Sequence, residues 1–312
     1  MNATAWLKRA TKSAPSFGGA PRIESPLQRF WSEFSESKLA LIGLMLLTMI
    51  ILIAIFAPLI SPQNPYDLSQ LDIMDSKLAP GEKSGAGHTH LLGTDDQGRD
   101  MLSAIFYGLR ISLGVGVAST VFALAIGLFF GMIAAYFGGW VDTLIMRVVD
   151  IQLSFPAILI ALILLAVLGQ GADKIIVALI TVQWAYYART VRASALVEKQ
   201  KEYIEAAKVL ALSKTRILFR HMLPNCLPPL IVVATVQVAH AITLESTLSF
   251  LGLGLPITEP SLGLLISNGF TYLMSGKYWI SFYPGLALLL TIMSINLVAD
   301  QLRDVLNPRL KK

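Results

Sequence analysis

Residues 39–60 read LALIGLMLLTMIILIAIFAPLI, 22 positions without a charged side chain. An α-helix rises about 1.5 Å per residue, so about 20 apolar residues cross the ~30 Å hydrocarbon layer of a bilayer. No water reaches that layer to satisfy backbone N–H and C=O groups, and a helix satisfies them within one segment. The stretch therefore decides for a helical, membrane-embedded fold, with Pro58 its one interruption. It begins behind a polar tail and no small-residue cleavage site follows it, so an uncleaved anchor is expected, not a signal peptide.

The same reading recurs along the chain. Apolar runs cover Ile111–Tyr136, Ser154–Leu168 (starting near Leu144), Ile175–Ala188 (extending to about Val191), Leu227–Leu253 and Gly285–Val298. Six spanning helices are expected, in an all-α integral membrane protein. Charged residues make up 14% of the chain, against about 25% in soluble domains, as lipid surroundings require. The net charge of +5 lies outside the apolar runs, so it bears on orientation and not on nucleic acid. Lys and Arg concentrate before Leu39, between Arg189 and Arg220, and after Val298, which puts both termini in the cytoplasm. Cys226 is the only cysteine, so no intrachain disulfide exists.

Around the spans the chain divides into a small, polar tail at 1–25, an interfacial helix plus first span at 26–60, and an outer loop at 61–108. A core of helices follows at 109–303, with a cytoplasmic end at 304–312. Leu27, Phe30, Trp31 and Phe34 form the stripe of an amphipathic helix, expected with its aromatic face in lipid. Ser119, Ala123, Gly127, Gly131 and Ala135 place a small residue at every fourth position, which lets another helix approach closely. Packing within this chain is the preferred reading of that ladder over a dimer face.

The largest inner loop, 193–225, contains KEYIEAAKVLALSKTRILFRHMLPN from Lys201 to Asn225. From Glu202 to about Leu212 it favours helix, with Ile204, Ala207 and Ala211 on one small, apolar stripe. Such a stripe suits insertion into a groove on a partner, and Glu205 sits where the helix dipole favours a carboxylate.

Tyr203, Ile204, Glu205-Ala206-Ala207, Leu210 and Ala211, followed by Leu223-Pro224, resemble the EAA loop of binding-protein-dependent ABC importer permeases. The resemblance implies a coupling helix that docks on an ATP-hydrolysing subunit. Ala211 stands where that pattern has glycine, and His221 where it has an apolar residue. Alanine resists the positive φ that glycine allows, so the turn after the helix is expected to be right-handed, or the helix to run on. His90-Leu-Leu-Gly93-Thr94-Asp95-Asp96-Gln-Gly98-Arg99-Asp100, Gly108-Leu-Arg110-Ile-Ser112-Leu113, Leu248–Gly254 and Arg303–Pro308 are similar to the dipeptide, oligopeptide and nickel branch, C-type subunit. This implies a type-I ABC importer (MetI-like) permease fold in the bacterial inner membrane. It also implies a second permease as heterodimer partner, two ATP-binding subunits, and an extracytoplasmic solute-binding protein. No cofactor is expected on this chain; ATP and Mg belong to the partner ATPase. Short peptides are the first-choice solute, with nickel, glutathione or another small solute behind.

Other residues invite weighing. Glu245 lies inside a span, where a carboxylate either faces a cavity or partner or sits near the outer end, hydrated or paired. Gln237 and Asn296, with Asp150 and Gln183, face a pathway or bond between helices. The run 95–100 lacks the alternating oxygens of a calcium loop and reads as a turn in which Arg99 pairs a carboxylate. His88 and His90 alone make a poor metal site, and no metal is expected. Arg189 and Arg192 read as positive-inside anchors or as ATPase contacts. No phosphate loop, HExxH pair or GxSxG elbow occurs, so no catalytic residue is assigned and the chain is not read as an enzyme. An intramembrane hydrolase would have to use His240 with Ser246 or Ser249. A passive channel would have no use for a docking loop.

Overall fold

The computed structural model describes residues 25–306 apart from Ala86. Of the tail expected at 1–25 only Ser25 falls within it, and of the end at 304–312 only residues 304–306. Helix α1 covers Pro26–Ser35 and α2 Lys38–Ile60, with Ser25 and Ser37 as their N-caps. Helix α3 runs from Met101 to Phe137, α4 from Gly139 to Ser154, α5 from Ala157 to Leu168 and α6 from Ala172 to Lys199. The short α7, Glu202–Val209, precedes α8, Lys214–Phe250, and then come α9, Leu262–Phe270, and α10, Trp279–Leu306.

Among the described residues α2, α3, α8 and α10 are long and apolar enough to cross a membrane, and α4 with α5 would make a fifth as one broken span. The pair bends by 89° because Pro156 holds Phe155 extended, at φ −94° and ψ 144°. The stretch expected as the fourth span lies inside α6, whose apolar run is diluted by Gln183, Arg189 and Arg192.

Helix α3 begins at Met101, so the loop expected to reach residue 108 ends at residue 100. Asp100 caps α3 by accepting from the Ser103 N–H at 2.8 Å. The first turns carry Ser103, Tyr107, Gly108 and Arg110, too polar to count as lipid-spanning but well suited to packing under the loop.

Helices α3 and α6 form the tightest pair. The ladder Ser119, Ala123, Gly127, Gly131 and Ala135 is buried in full. A methyl on Gly127 would lie 2.4 Å from Tyr187 Cβ and 2.6 Å from the Trp184 carbonyl. On Gly131 it would meet the Ala188 carbonyl at 2.6 Å. The ladder thus serves packing within the chain, as preferred from sequence. At its C-terminal end Lys199 Nζ donates to the Ala135 and Tyr136 carbonyls at 2.8 and 2.7 Å, closing the last turn of α3.

In α1 the aromatic stripe divides. Phe34 is buried with Ala40 and Val298, and Gln301 Nε2 donates to the Glu33 carbonyl at 3.1 Å. Leu27 and Trp31 stay exposed. The helix is therefore stapled to α2 and α10 by one side and not given over wholly to lipid.

Candidate functional site

Helix α7 is the centre of the candidate site. Its first turn carries Glu202 and Glu205, which complement the helix dipole. Ile204 and Ala207 are buried against Ile217, Met222 and Val191 of the chain itself. They hold α7 onto α6 and α8, so two of the three residues of the stripe expected to enter a partner groove face inward and only Ala211 is exposed. The outward face is Glu205, Ala206, Val209 and Leu210, with Val209 86% and Leu210 72% exposed.

The turn after α7 corrects the sequence reading. Helix α7 stops at Val209 and does not reach Leu212. Ala211 has φ +53°, in the left-handed region. The Leu212 N–H donates to the Ala207 carbonyl at 3.1 Å and the Ala211 N–H to the Lys208 carbonyl at 2.9 Å. These two bonds define a Schellman C-cap, whose usual occupant at this position is glycine. Leu212 then folds back onto the cluster that holds Ala207, so backbone bonding and apolar contact together outweigh the steric preference of alanine.

Beyond the turn, α8 opens with a π-helical segment, Ile217–Met222, followed by Leu223 and Pro224, with Pro228 and Pro229 further on. Tyr203 reaches across to this region. Its hydroxyl donates to Glu198 Oε2 at 2.6 Å and accepts from Asn225 Nδ2 at 2.9 Å. Burial, then the bond to Glu198, raise the Tyr203 pKa to about 12, so the donor proton is retained at neutral pH. Lys201 Nζ bonds the other Glu198 oxygen at 2.5 Å. Sequence reasoning placed Tyr203 here but missed Glu198 and Asn225. The separation of 22 residues between Tyr203 and Asn225 follows no helical spacing, and only a polar residue opening an apolar run hinted at it.

Glu245 is enclosed, with 0% exposure, and reaches none of the chain's exposed faces. Ser112 and Ser249 hydroxyls donate to its two carboxylate oxygens at 2.9 and 2.8 Å, joining α3 to α8. Ser246 and Ser249 both bond Glu245, and neither is hydrogen-bonded to His240, so the structure brings no hydrolase pair together. Gln237 is half-buried, and its carbonyl accepts from Gln183 Nε2 at 3.5 Å, linking α6 and α8. Asn296 is exposed on α10.

Arg189 and Arg192 find their partners in α4. Arg189 Nη2 bonds Asp150 at 2.5 Å, and Arg192 engages both oxygens of Asp142. In the loop before α3, Arg99 is fully buried and bonds Asp95 Oδ2 at 2.6 Å, as the turn reading required. Its Nη1 donates to the Ile257 carbonyl at 3.2 Å, and Trp279 Nε1 donates to the Thr94 carbonyl at 3.3 Å. The loop is thereby fastened to the segments flanking α9. His90 pairs with Asp100 at 2.9 Å while His88 is exposed, and no cluster of metal-ligating side chains occurs among the described residues.

Comparison with known proteins gives a consistent answer. Residues 127–312 match the family model described as binding-protein-dependent transport system inner membrane component, and residues 25–80 that of the N-terminal TM domain of oligopeptide transport permease C. The dipeptide transport system permease protein DppC of Escherichia coli (strain K12) is 42% identical over 294 residues, 94% of this chain and 96% of that one. The Di/tripeptide transport system permease protein DppC of Pseudomonas aeruginosa (strain UCBPP-PA14) is 36% identical over 303 residues, 97% of this chain and 98% of that one. Among solved structures, the inward-facing MetNI methionine ABC transporter superposes with a TM-score of 0.54 at 20% identity, over 66% of this chain and 98% of that one. That likeness speaks for the fold.

Proposed function

The chain belongs to the family of binding-protein-dependent transport system inner membrane components, and we propose that it is the C-type permease subunit of an ATP-driven peptide importer. The observation that carries this reading is similarity to di- and tripeptide permeases along almost the whole chain, joined to a short helix, α7, that offers an apolar edge to a partner. The six expected segments are its spans, α6 and the broken α4–α5 among them, with both termini in the cytoplasm of a bacterial cell. The units follow as an interfacial helix and first span at 26–60, an outer loop, and a permease core from Met101 to about residue 303.

In this reading a second permease completes the pathway, two ATP-binding subunits carry ATP and Mg, and an extracytoplasmic binding protein delivers the solute. This chain supplies no catalytic group. ATP closes the ATPase pair, which carries α7 with it through Glu205, Ala206, Val209 and Leu210. Tyr203, Ile204, Ala207, Leu223 and Pro224 tie that movement to α6 and α8, and Ala211 shapes the turn. Each ligand acts by binding one arrangement of the spans better than the other. The pathway is formed with the second permease, and Gln237 and Asn296 are its candidate polar residues on this chain.

The test is a pull-down of the solubilised chain with its co-expressed partners, native and with residues 202–213 replaced by Gly/Ser. An ATPase that comes down with the native chain alone supports the reading. Equal recovery with both forms would remove the docking role from α7, and no ATPase with either would remove the importer reading.

A further inference from the structure

The geometry points to the hydrogen bond between Tyr203 and Asn225 as the latch that passes movement of α7 into α8; the inference rests on the importer reading above. The bond joins two elements that differ in stiffness. Helix α7 is fixed on its inner side by Ile204 and Ala207 and capped at its end by the turn at Ala211. The start of α8 is soft. Ile217–Met222 is π-helical, and Pro224, Pro228 and Pro229 each lack a backbone donor, so few intrahelical bonds oppose bending there.

Asn225 lies between those two features. Its amide nitrogen has two hydrogens, and both are used: one on the Tyr203 hydroxyl at 2.9 Å, the other on the His221 carbonyl at 2.9 Å. The second bond ends inside the π segment. Tyr203 is fastened in turn to Glu198 at the end of α6. A pull on α7 therefore has a polar route to the π turn, through Tyr203 and Asn225, beside the apolar contact of Ile204 and Ala207 with Ile217 and Met222, with the end of α6 as the fixed point. Tyr203 and Asn225 are positioning residues in this scheme and touch no solute.

The experiment uses the complete complex, with both permeases and both ATPases, and follows hydrogen exchange of residues 202–230 with and without ATP and Mg. In the native complex ATP alters exchange in α7 and in 214–230 alike. Asn225→Leu, close in size but without the donor, keeps the response of α7 and loses that of 214–230, by roughly fivefold for one neutral hydrogen bond. Tyr203→Phe, which also releases Glu198, loses at least as much, and the double variant is no worse than Tyr203→Phe alone. A merely structural bond would raise exchange equally with and without ATP. That result, or an unchanged ATP response of 214–230 in both variants, overturns the latch while leaving the importer reading intact. Failure of the native complex to bind ATP would overturn both. Should Asn225→Leu not assemble, Tyr203→Phe decides alone.

Discussion

The Leu212 N–H bonds the Ala207 carbonyl at 3.1 Å, and Ala211, held between them, has φ +53°. A side chain in the left-handed region costs about 1–2 kcal/mol, and glycine avoids that cost while losing roughly 0.5–1 kcal/mol to unfolded-state entropy. Ala211→Gly should therefore stabilise the turn by about 0.5–1 kcal/mol. Slower hydrogen exchange at the Leu212 amide would show it; faster exchange would mean that the turn is not left-handed.

Contact between α3 and α6 yields a sharper test. A Cβ on Gly127 meets backbone, the Trp184 carbonyl at 2.6 Å and the Ala188 nitrogen at 2.8 Å, and backbone cannot rotate aside. Gly127→Ala should cost about 3 kcal/mol, the upper end of the overpacking range. Gly114 on the same helix has nothing within 4 Å of such a methyl, so Gly114→Ala should be neutral or slightly stabilising. Thermal unfolding in detergent compares the two, and equal losses would contradict the packing.

Much of this arrangement was legible in the sequence, and the exceptions share a cause. Lipid forces helices, so the apolar runs located the long helices, and the ladder from Ser119 to Ala135 disclosed a close helix pair. Hydropathy says nothing of what polar residues do beneath a loop, so the first eight residues of α3 were read as loop. Spacing finds a stripe such as Ile204–Ala207 but not the side on which it is buried; the exposed Val209 and Leu210 emerge only once α6 and α8 are in place. Ala211 was misjudged because a local preference near 1 kcal/mol yields to two backbone bonds and a half-buried leucine. Motif resemblance located the loop, whereas the bond between Tyr203 and Asn225 depends on how α8 begins.

The buried pair Arg99–Asp95 should dominate the stability of the loop 61–100. Arg99→Ala strands a carboxylate with 0% exposure, for a loss of about 3–5 kcal/mol. Protease cleavage within 61–100 would report it. Arg99→Met combined with Asp95→Asn removes both charges and should recover part of the loss; no recovery would show that the pair is not what holds the loop.

Asp96, beside that pair, should give the loop a pH dependence. Burial, reinforced by the neighbouring Asp95, raises its carboxyl above the ordinary range, and Oδ1 has no partner. A raised folded pKa means that its stabilising contribution is present below the unfolded pKa and lost as pH rises through the folded one. Asp96→Asn should therefore slow cleavage of the loop at neutral pH and make no difference in acid below the usual carboxylate range. A benefit independent of pH would assign the effect to packing instead.

In the proposed importer, the segment from Ile204 to Leu210 separates docking from folding within seven residues. Leu210 is 72% exposed and Ile204 0%, so an aspartate at each position tests a different interaction. Leu210→Asp leaves the inner face intact and should assemble in the membrane with unchanged melting. As a central apolar contact it should weaken ATPase recovery by about 2 kcal/mol, roughly thirtyfold. Ile204→Asp puts a charge among Ile217, Met222 and Val191 and should loosen the whole segment from 202 to 224, seen as new protease cleavage there. Glu205→Lys, on the outward face, should act like Leu210→Asp: membrane insertion retained, uptake lost. If Ile204→Asp alone abolished ATPase binding while Leu210→Asp and Glu205→Lys transported normally, the partner would have to meet a face that is buried here, and the docking surface assigned to Glu205, Ala206, Val209 and Leu210 would be wrong.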